Sequence, residues 1–173
     1  MSEPLVVIRA ARESELPLIS ALEKSGDQLF RAAGMDRIAD APAPEPDAYR
    51  PALEDGRLLV AVDEQDAALG FIRLEMLDGG PHVEQVSVHP DRAGHGVGAS
   101  LLAAAEQVAR ARGHRRMTLT TFRDVPWNGP YYTRLGWSTL RAADLPPELA
   151  AARQHERDLG LDEWPRQAMA KNL

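Results

Sequence analysis

Val86-Ser87-Val88-His89-Pro90-Asp91-Arg92-Ala93-Gly94-His95-Gly96-Val97-Gly98-Ala99 is the stretch on which the reading of this chain turns. His82 to His89 alternates and is rich in β-branched residues, the mark of a strand. It runs into a loop with glycine at every second position, then into a helix expected over Ala99 to Arg112. There Leu101, Leu102, Ala105, Val108 and Ala109 recur at i, i+1, i+4, i+7 and i+8, which makes one buried face, and Gly113 ends the run. The missing side chains at Gly94, Gly96 and Gly98 let a ligand approach the main chain closely. Unpaired N–H groups in the first helical turn then point at that ligand, and the helix dipole favours negative charge. Charge-assisted hydrogen bonds of about 1.5–3 kcal/mol each could converge on one pyrophosphate without a strong positive patch. The plain alternative is a flexible turn leading into a glycine-rich helix.

Outward from this unit, Leu5 to Ile8 reads as a strand, and Glu13 to Ser25 as a helix with Leu16, Ile19 and Leu22 inward and a stop at Gly26. Met35 to Pro51, rich in proline and acid, reads mostly as loop. Arg57 to Val62 and Leu69 to Leu77 form a plausible hairpin through Asp63-Glu64-Gln65-Asp66, and Asp78-Gly79-Gly80-Pro81 is another turn. Met117 to Phe122 is a strand. Pro126 to Leu135 reads as a short helix with Asn128 as its cap and Pro130 in its first turn. Leu145 to Gly160 is a further helix and Arg166 to Lys171 a last strand. This order predicts an α/β chain whose sheet mixes parallel and antiparallel pairs.

With 173 residues and 18.9 kDa, the chain is long enough for one full hydrophobic core. Cysteine is absent, which excludes disulfides, thiolate–zinc sites and cysteine nucleophiles and suits a reducing compartment. A net charge of −6 argues against general binding to nucleic acid or to an anionic membrane. No apolar run approaches the ~20 residues of a membrane span, and Met1 to Arg12 has no signal-peptide block. A soluble, cytoplasmic domain is expected.

A Walker loop would need Gly-Lys-Ser/Thr, and no lysine is present here. Gly94-x-Gly96-x-x-Ala99 formally matches a dinucleotide fingerprint, with Asp124 placed for a ribose, so an NAD(P)-type domain stays open. Against it, Pro90 to Ala93 separates the strand from the glycines, and most of the strands come before this unit.

Val88-x-Pro90, then Gly94-His95-Gly96-Val97-Gly98, then Leu101-Leu102, resembles the acyl-CoA-binding motif of the GNAT superfamily of N-acetyltransferases. Asn128-x-x-x-Tyr132-x-x-Leu135-Gly136-Trp137 resembles that superfamily's downstream helix. The resemblance implies a single domain over residues 1–173 with its motif core at about 82–137. It implies a mostly antiparallel sheet of about six to seven strands flanked by helices and splayed at the acyl-CoA site. It also implies acetyl-CoA as acyl donor and no metal. One departure is visible: the family's usual Gln/Arg position is Ala93, with Arg92 one residue early, so a side-chain contribution there is lost.

Direct transfer to an amine makes chemical demands. A lysine-like amine with a pKa of about 10.4 gives up about 4.6 kcal/mol to reach its neutral form at pH 7, so a base must take its proton. The departing thiolate is helped by a donor such as a tyrosine hydroxyl. The resemblance assigns that donor to Tyr132, whose other reading is a core aromatic; Tyr131 points about 100° away on a helix. It assigns the base to Glu84, otherwise a solvent-facing strand residue, with His82, His89 and Ser87 in reserve. Main-chain groups of Val86 and Val88 would bond the pantetheine amides. The expected coenzyme contacts are Val86, Ser87, Val88, Gly94, His95, Gly96, Val97, Gly98, Ala99 and Asn128.

Phe122, Trp127, Tyr131, Tyr132 and Trp137 cluster in sequence, a pattern that walls pockets or packs a core. Between Asp36 and Asp66, nine acids face three arginines, which suggests a cationic amine, small molecule or peptide, as acceptor. Arg110, Arg112, His114, Arg115 and Arg116 form a basic knot that could meet the 3′-phosphate of CoA but reads rather as salt-bridged or merely solvated. A homodimer would be in keeping with similar proteins. A non-catalytic CoA-binding module is the remaining alternative.

Overall fold

The structure, a computed structural model, describes residues 5–173. Seven strands form a mixed sheet: β1 (Val7–Ala10), β2 (Leu58–Val62), β3 (Ala68–Leu77), β4 (Gly80–Val88), β5 (Arg116–Phe122), β6 (Ser138–Thr139) and β7 (Arg166–Asn172). Their order is β1-β2-β3-β4-β5-β7-β6. Six α-helices flank them: α1 (Leu16–Asp27), α2 (Asp36–Asp40), α3 (Arg50–Glu54), α4 (Val97–Ala111), α5 (Gly129–Arg134) and α6 (Pro147–Asp158). The expected α/β class and mixed sheet are present. The chain divides into two units. One holds the described residues through Leu74 with Gln85–Gln107; the other holds Glu75–Glu84 and Val108–Leu173.

In the first unit, β1 pairs antiparallel with β2 (Val7 opposite Val62) and β2 with β3 (Leu58 opposite Arg73), the hairpin read from the sequence. Leu16, Ile19 and Leu22, one stripe of α1, pack with Val60, Phe71 and Tyr49. Each such side chain contributes about 1.5–3 kcal/mol on burial. Two expectations are corrected. Helix α1 does not stop at Gly26 but continues to Asp27, followed by a 3-10 segment, Gln28–Ala33. Gly26 is not among the left-handed glycines, so its backbone does not end the helix, and a Cβ on it would stand 3.4 Å from the Cβ and Oγ of Ser87, an ordinary contact. The stretch 35–51 is not mostly loop. It carries α2, a 3-10 turn (Pro46–Tyr49) and the start of α3, because Pro46 and Pro51 stand in first helical turns, where a missing N–H costs nothing.

In the second unit, β5 pairs with β7 along its whole length, from Arg116 opposite Asn172 to Phe122 opposite Arg166. On its other edge β5 runs parallel to β4 for two pairs only, His82 with Thr118 and Val83 with Leu119. Thr120, Thr121 and Phe122 therefore have a ladder on the β7 side alone. Arg153 and Arg166 both bond the carboxylate of Glu156, and Arg153 also bonds Asp162, at 3.0 Å. Among the described residues, no helix is long and apolar enough to cross a membrane.

Candidate functional site

The first unit builds the glycine loop. The main chain of His89 still belongs to the sheet, its N–H donating to Leu69 O at 2.8 Å. A 3-10 turn, Pro90–Arg92, follows, and His89 Nδ1 accepts from Asp91 N. Ala93 is extended, and its carbonyl lies 3.0 Å from His95 Nδ1. Gly94 and Gly96 then take φ of +78° and +77°, a left-handed backbone that side chains resist. A Cβ at either position would meet no atom within 4 Å, so the space above the loop is open. Helix α4 begins at Val97, two residues before the expected Ala99. Ser100 N is the donor that closes on Gly96 O, at 3.0 Å, which leaves the N–H groups of Val97, Gly98 and Ala99 at the free helix end. Gly98 is thus a helical residue, and its N–H is part of the cradle. Val97 itself is buried and anchors the turn. Open space over two left-handed glycines and three free amides is what a diphosphate requires.

The same unit holds a group that sequence reasoning missed. Glu23 Oε2 accepts from the Tyr49 hydroxyl at 2.5 Å, and the guanidinium of Arg73 lies 5.5 Å from the centre of the Tyr49 ring. One turn on, burial and the nearby Glu23 push the Asp27 carboxyl up to about 7, although Lys24 pulls the other way. The helical spacing of Leu16, Ile19 and Leu22, carried on to Glu23 and Asp27, was the available signal, hidden by reading Gly26 as a stop.

The second unit holds the remaining candidates. Glu84 is 46% exposed, with Oε2 4.0 Å from Nε2 of His82. His82 is 3% exposed, and Nδ1 lies 2.9 Å from Thr118 Oγ1. Burial lowers its pKa to about 4 against the opposing pull of Glu156 and Glu75. It is neutral at pH 7, and its contact with Glu84 is not an ion pair. Tyr132 lies in α5, buried, its ring edge-on to Trp137 and Tyr131 at 6.1 and 5.5 Å. Desolvation raises its hydroxyl pKa well above the ordinary value, so it stays protonated. The indole Nε1 of Trp137 is buried without a hydrogen-bond partner. Asn128 stands at the start of α5 but does not cap it with its side chain, contrary to expectation. Its Oδ1 accepts instead from the Thr121 hydroxyl at 2.7 Å, on the strand segment that has no β4 ladder, leaving the amide donors of Asn128 free of that bond. The aromatic run divides: Phe122 packs on Trp164 and under Arg166, while Tyr131, Tyr132 and Trp137 form their own group.

Val86 and Val88 are half-buried at the end of β4, and Ser87 Oγ accepts from Gln85 Nε2 at 2.8 Å. The expected coenzyme residues other than Asn128 thus fall in the first unit, and Glu84, Asn128 and Tyr132 in the second. Among the described residues, no three His, Asp or Glu side chains gather in a way that could hold a metal ion.

A family model described as the acetyltransferase (GNAT) family matches residues 27–137, more than half of the chain. Solved structures of similar fold include the Thermoplasma acidophilum PaiA N-acetyltransferase in complex with coenzyme A, at 14% identity and TM-score 0.72, covering 98% of this chain and 99% of that one. N-acetylglutamate synthase from Neisseria gonorrhoeae, complexed with coenzyme A and N-acetyl-glutamate, matches at 17% identity and TM-score 0.70. That match covers 99% of this chain but only 36% of the synthase, so the chain spans about a third of that protein. An acetyltransferase of the GNAT family from Staphylococcus aureus matches at 15% identity and TM-score 0.68, covering 98% and 99% of the two chains.

Proposed function

The chain belongs to the GNAT acetyltransferase family, and from that premise we propose that it moves an acetyl group from acetyl-CoA to a primary amine by direct attack. The observation that carries the reading is the glycine loop. Gly94 and Gly96, both left-handed and open above, lead into the free N–H groups of Val97, Gly98 and Ala99. Those amides would hold the coenzyme's pyrophosphate. Main-chain groups of Val86 and Val88 would bond the amides of its arm, and the Asn128 side-chain amide is a further donor. The family match spans the glycine loop, which sets aside the dinucleotide alternative.

Glu84 takes the proton of the attacking amine, directly or through water, from an exposed position that leaves it reachable. Tyr132, protonated at rest, donates from its hydroxyl to the departing sulfur. His82 is a poor base at neutral pH because its ring is held neutral with a pKa of about 4. Asp27 is the second candidate for proton acceptor, since a carboxyl pushed up to about 7 is matched to that task. The acceptor class stays at amines. Of the nine acids between Asp36 and Asp66, Asp36, Asp40, Asp47, Asp55 and Asp66 already pair with arginines, so the region favours a cationic acceptor less than its composition suggested. A cytoplasmic setting fits a chain without cysteine.

The test is thiol release from acetyl-CoA across amino acids, polyamines, aminoglycosides and N-terminal peptides, with coenzyme binding measured in parallel by calorimetry. Turnover with at least one amine supports the reading. Binding without turnover across the panel supports a non-catalytic module, and the absence of binding heat removes the role given to the loop.

A further inference from the structure

The second unit holds a cavity of about 310 Å³ that shares no residue with the glycine loop or with Glu84, Asn128 or Tyr132. Asp78, His114, Arg115, Arg116, Thr118 and Pro146 are among the residues lining it. His114, Arg115 and Arg116 belong to the basic knot that the sequence reads as salt-bridged or merely solvated. Elsewhere Arg9, Arg31, Arg50, Arg57, Arg123, Arg153 and Arg166 each meet a carboxylate, whereas Arg134 lies over the Tyr131 ring and Arg157 bonds the Gln154 amide oxygen. Among the described residues, Arg115 and Arg116 pair with no acid. Asp78, the acid lining the cavity, is already engaged. Its two oxygens accept from Glu148 N and Leu149 N at 2.9 Å each, and its own N–H donates to the Glu148 carboxylate. That reciprocal clamp fixes the turn between β3 and β4 and directs the charge of Asp78 to the start of α6.

We propose that this cavity binds a small polyanion, an oxyanion of two or more negative charges held by Arg115 and Arg116. Two guanidinium forks with no internal partner suit phosphate or carboxylate oxygens, which they bond bidentately. The volume lies at the lower end of small-molecule sites, about 300–1,000 Å³, and so fits a compact ligand rather than a coenzyme. In a chain of net charge −6, two such cations side by side on one cavity, beside one committed acid, concentrate positive charge locally.

The experiment is calorimetric titration of the full chain at low salt with inorganic pyrophosphate and, separately, with citrate, each with excess coenzyme A present to fill the glycine loop. Saturable binding of pyrophosphate alone would assign a phosphate ligand, of citrate alone a carboxylate, and of both a general oxyanion site. In each case the Arg115→Ala/Arg116→Ala variant lowers affinity at least about tenfold while its coenzyme A affinity and melting midpoint stay as in the parent. Both arginines are exposed, so the variant is expected to fold. No saturable heat from either anion through the millimolar range would overturn the proposal, and so would undiminished binding by the double variant.

Discussion

Replacing His82 by glutamine removes a titrating group from the interior while keeping an amide that can reach Thr118 Oγ1. Burial holds the folded-state pKa at about 4 instead of the ordinary 6.5. In the unfolded chain the ring returns to the ordinary value. Between those two pH values the unfolded state therefore binds a proton that the folded state does not, and stability rises with pH. The contribution is fully present above pH 6.5 and is lost as pH falls through 4. At about 1.36 kcal/mol per tenfold change, the displacement amounts to about 3 kcal/mol. The assay is urea unfolding of parent and His82→Gln at steps between about pH 4 and pH 7.5, with the stability difference taken at each step. Packing losses in the variant add a constant offset, and other titrating groups cancel in the difference. The parent's advantage should grow by about 3 kcal/mol from low to high pH. A difference that is flat with pH, or that shrinks as pH rises, refutes the claim that a neutral imidazole is buried there.

Gly96→Val forces a side chain onto a φ of +77°, at a strain of about 1–2 kcal/mol; calorimetry should also show coenzyme A affinity falling about tenfold or more as the amides of the loop shift. Asp27→Asn removes a carboxyl whose folded pKa is raised to about 7. Its stabilising effect should be absent below about pH 4, grow as pH rises, and reach about 2 kcal/mol above pH 7 after allowance for partial exposure. If Glu84 is the base, this variant also keeps its turnover. Tyr132→Phe keeps the ring contacts with Trp137 and Tyr131, so the melting midpoint should hold while kcat falls about a hundredfold in the thiol-release assay. Glu84→Gln changes an exposed side chain, so stability should be unaffected, and loss of turnover at neutral pH would identify the proton acceptor.

The features legible in the sequence were those that local chemistry decides. The alternation before His89, the glycines and the periodic face of α4 each force a backbone conformation within a few residues, and the structure places strand, loop and helix there. The misreadings fall where a residue type admits more than one backbone role. Gly26 reads as a stop, yet it does not turn left-handed and α1 runs through it to Asp27. Asn128 reads as a cap until the Thr121 hydroxyl takes its oxygen. Pro46 and Pro51 read as loop until each proves to open a helical turn, with Tyr49 buried between them.

The same division separates the two halves of the candidate chemistry. A diphosphate is met by main-chain amides, and the residues that expose main chain are glycines, so the proposed donor side can be read from the sequence. Proton transfer depends on pKa, and pKa depends on burial, which no spacing reveals. His82 sits on the same strand as Glu84 and is the easier base by residue type, yet burial makes it neutral and weak. Asp27 carries no motif, yet burial moves it to the range a base needs. The candidates for the acceptor side are therefore groups whose identity is ordinary and whose environment is not. For that reason the pH dependence of turnover in Glu84→Gln and Asp27→Asn will say more about the base than any further reading of residue types.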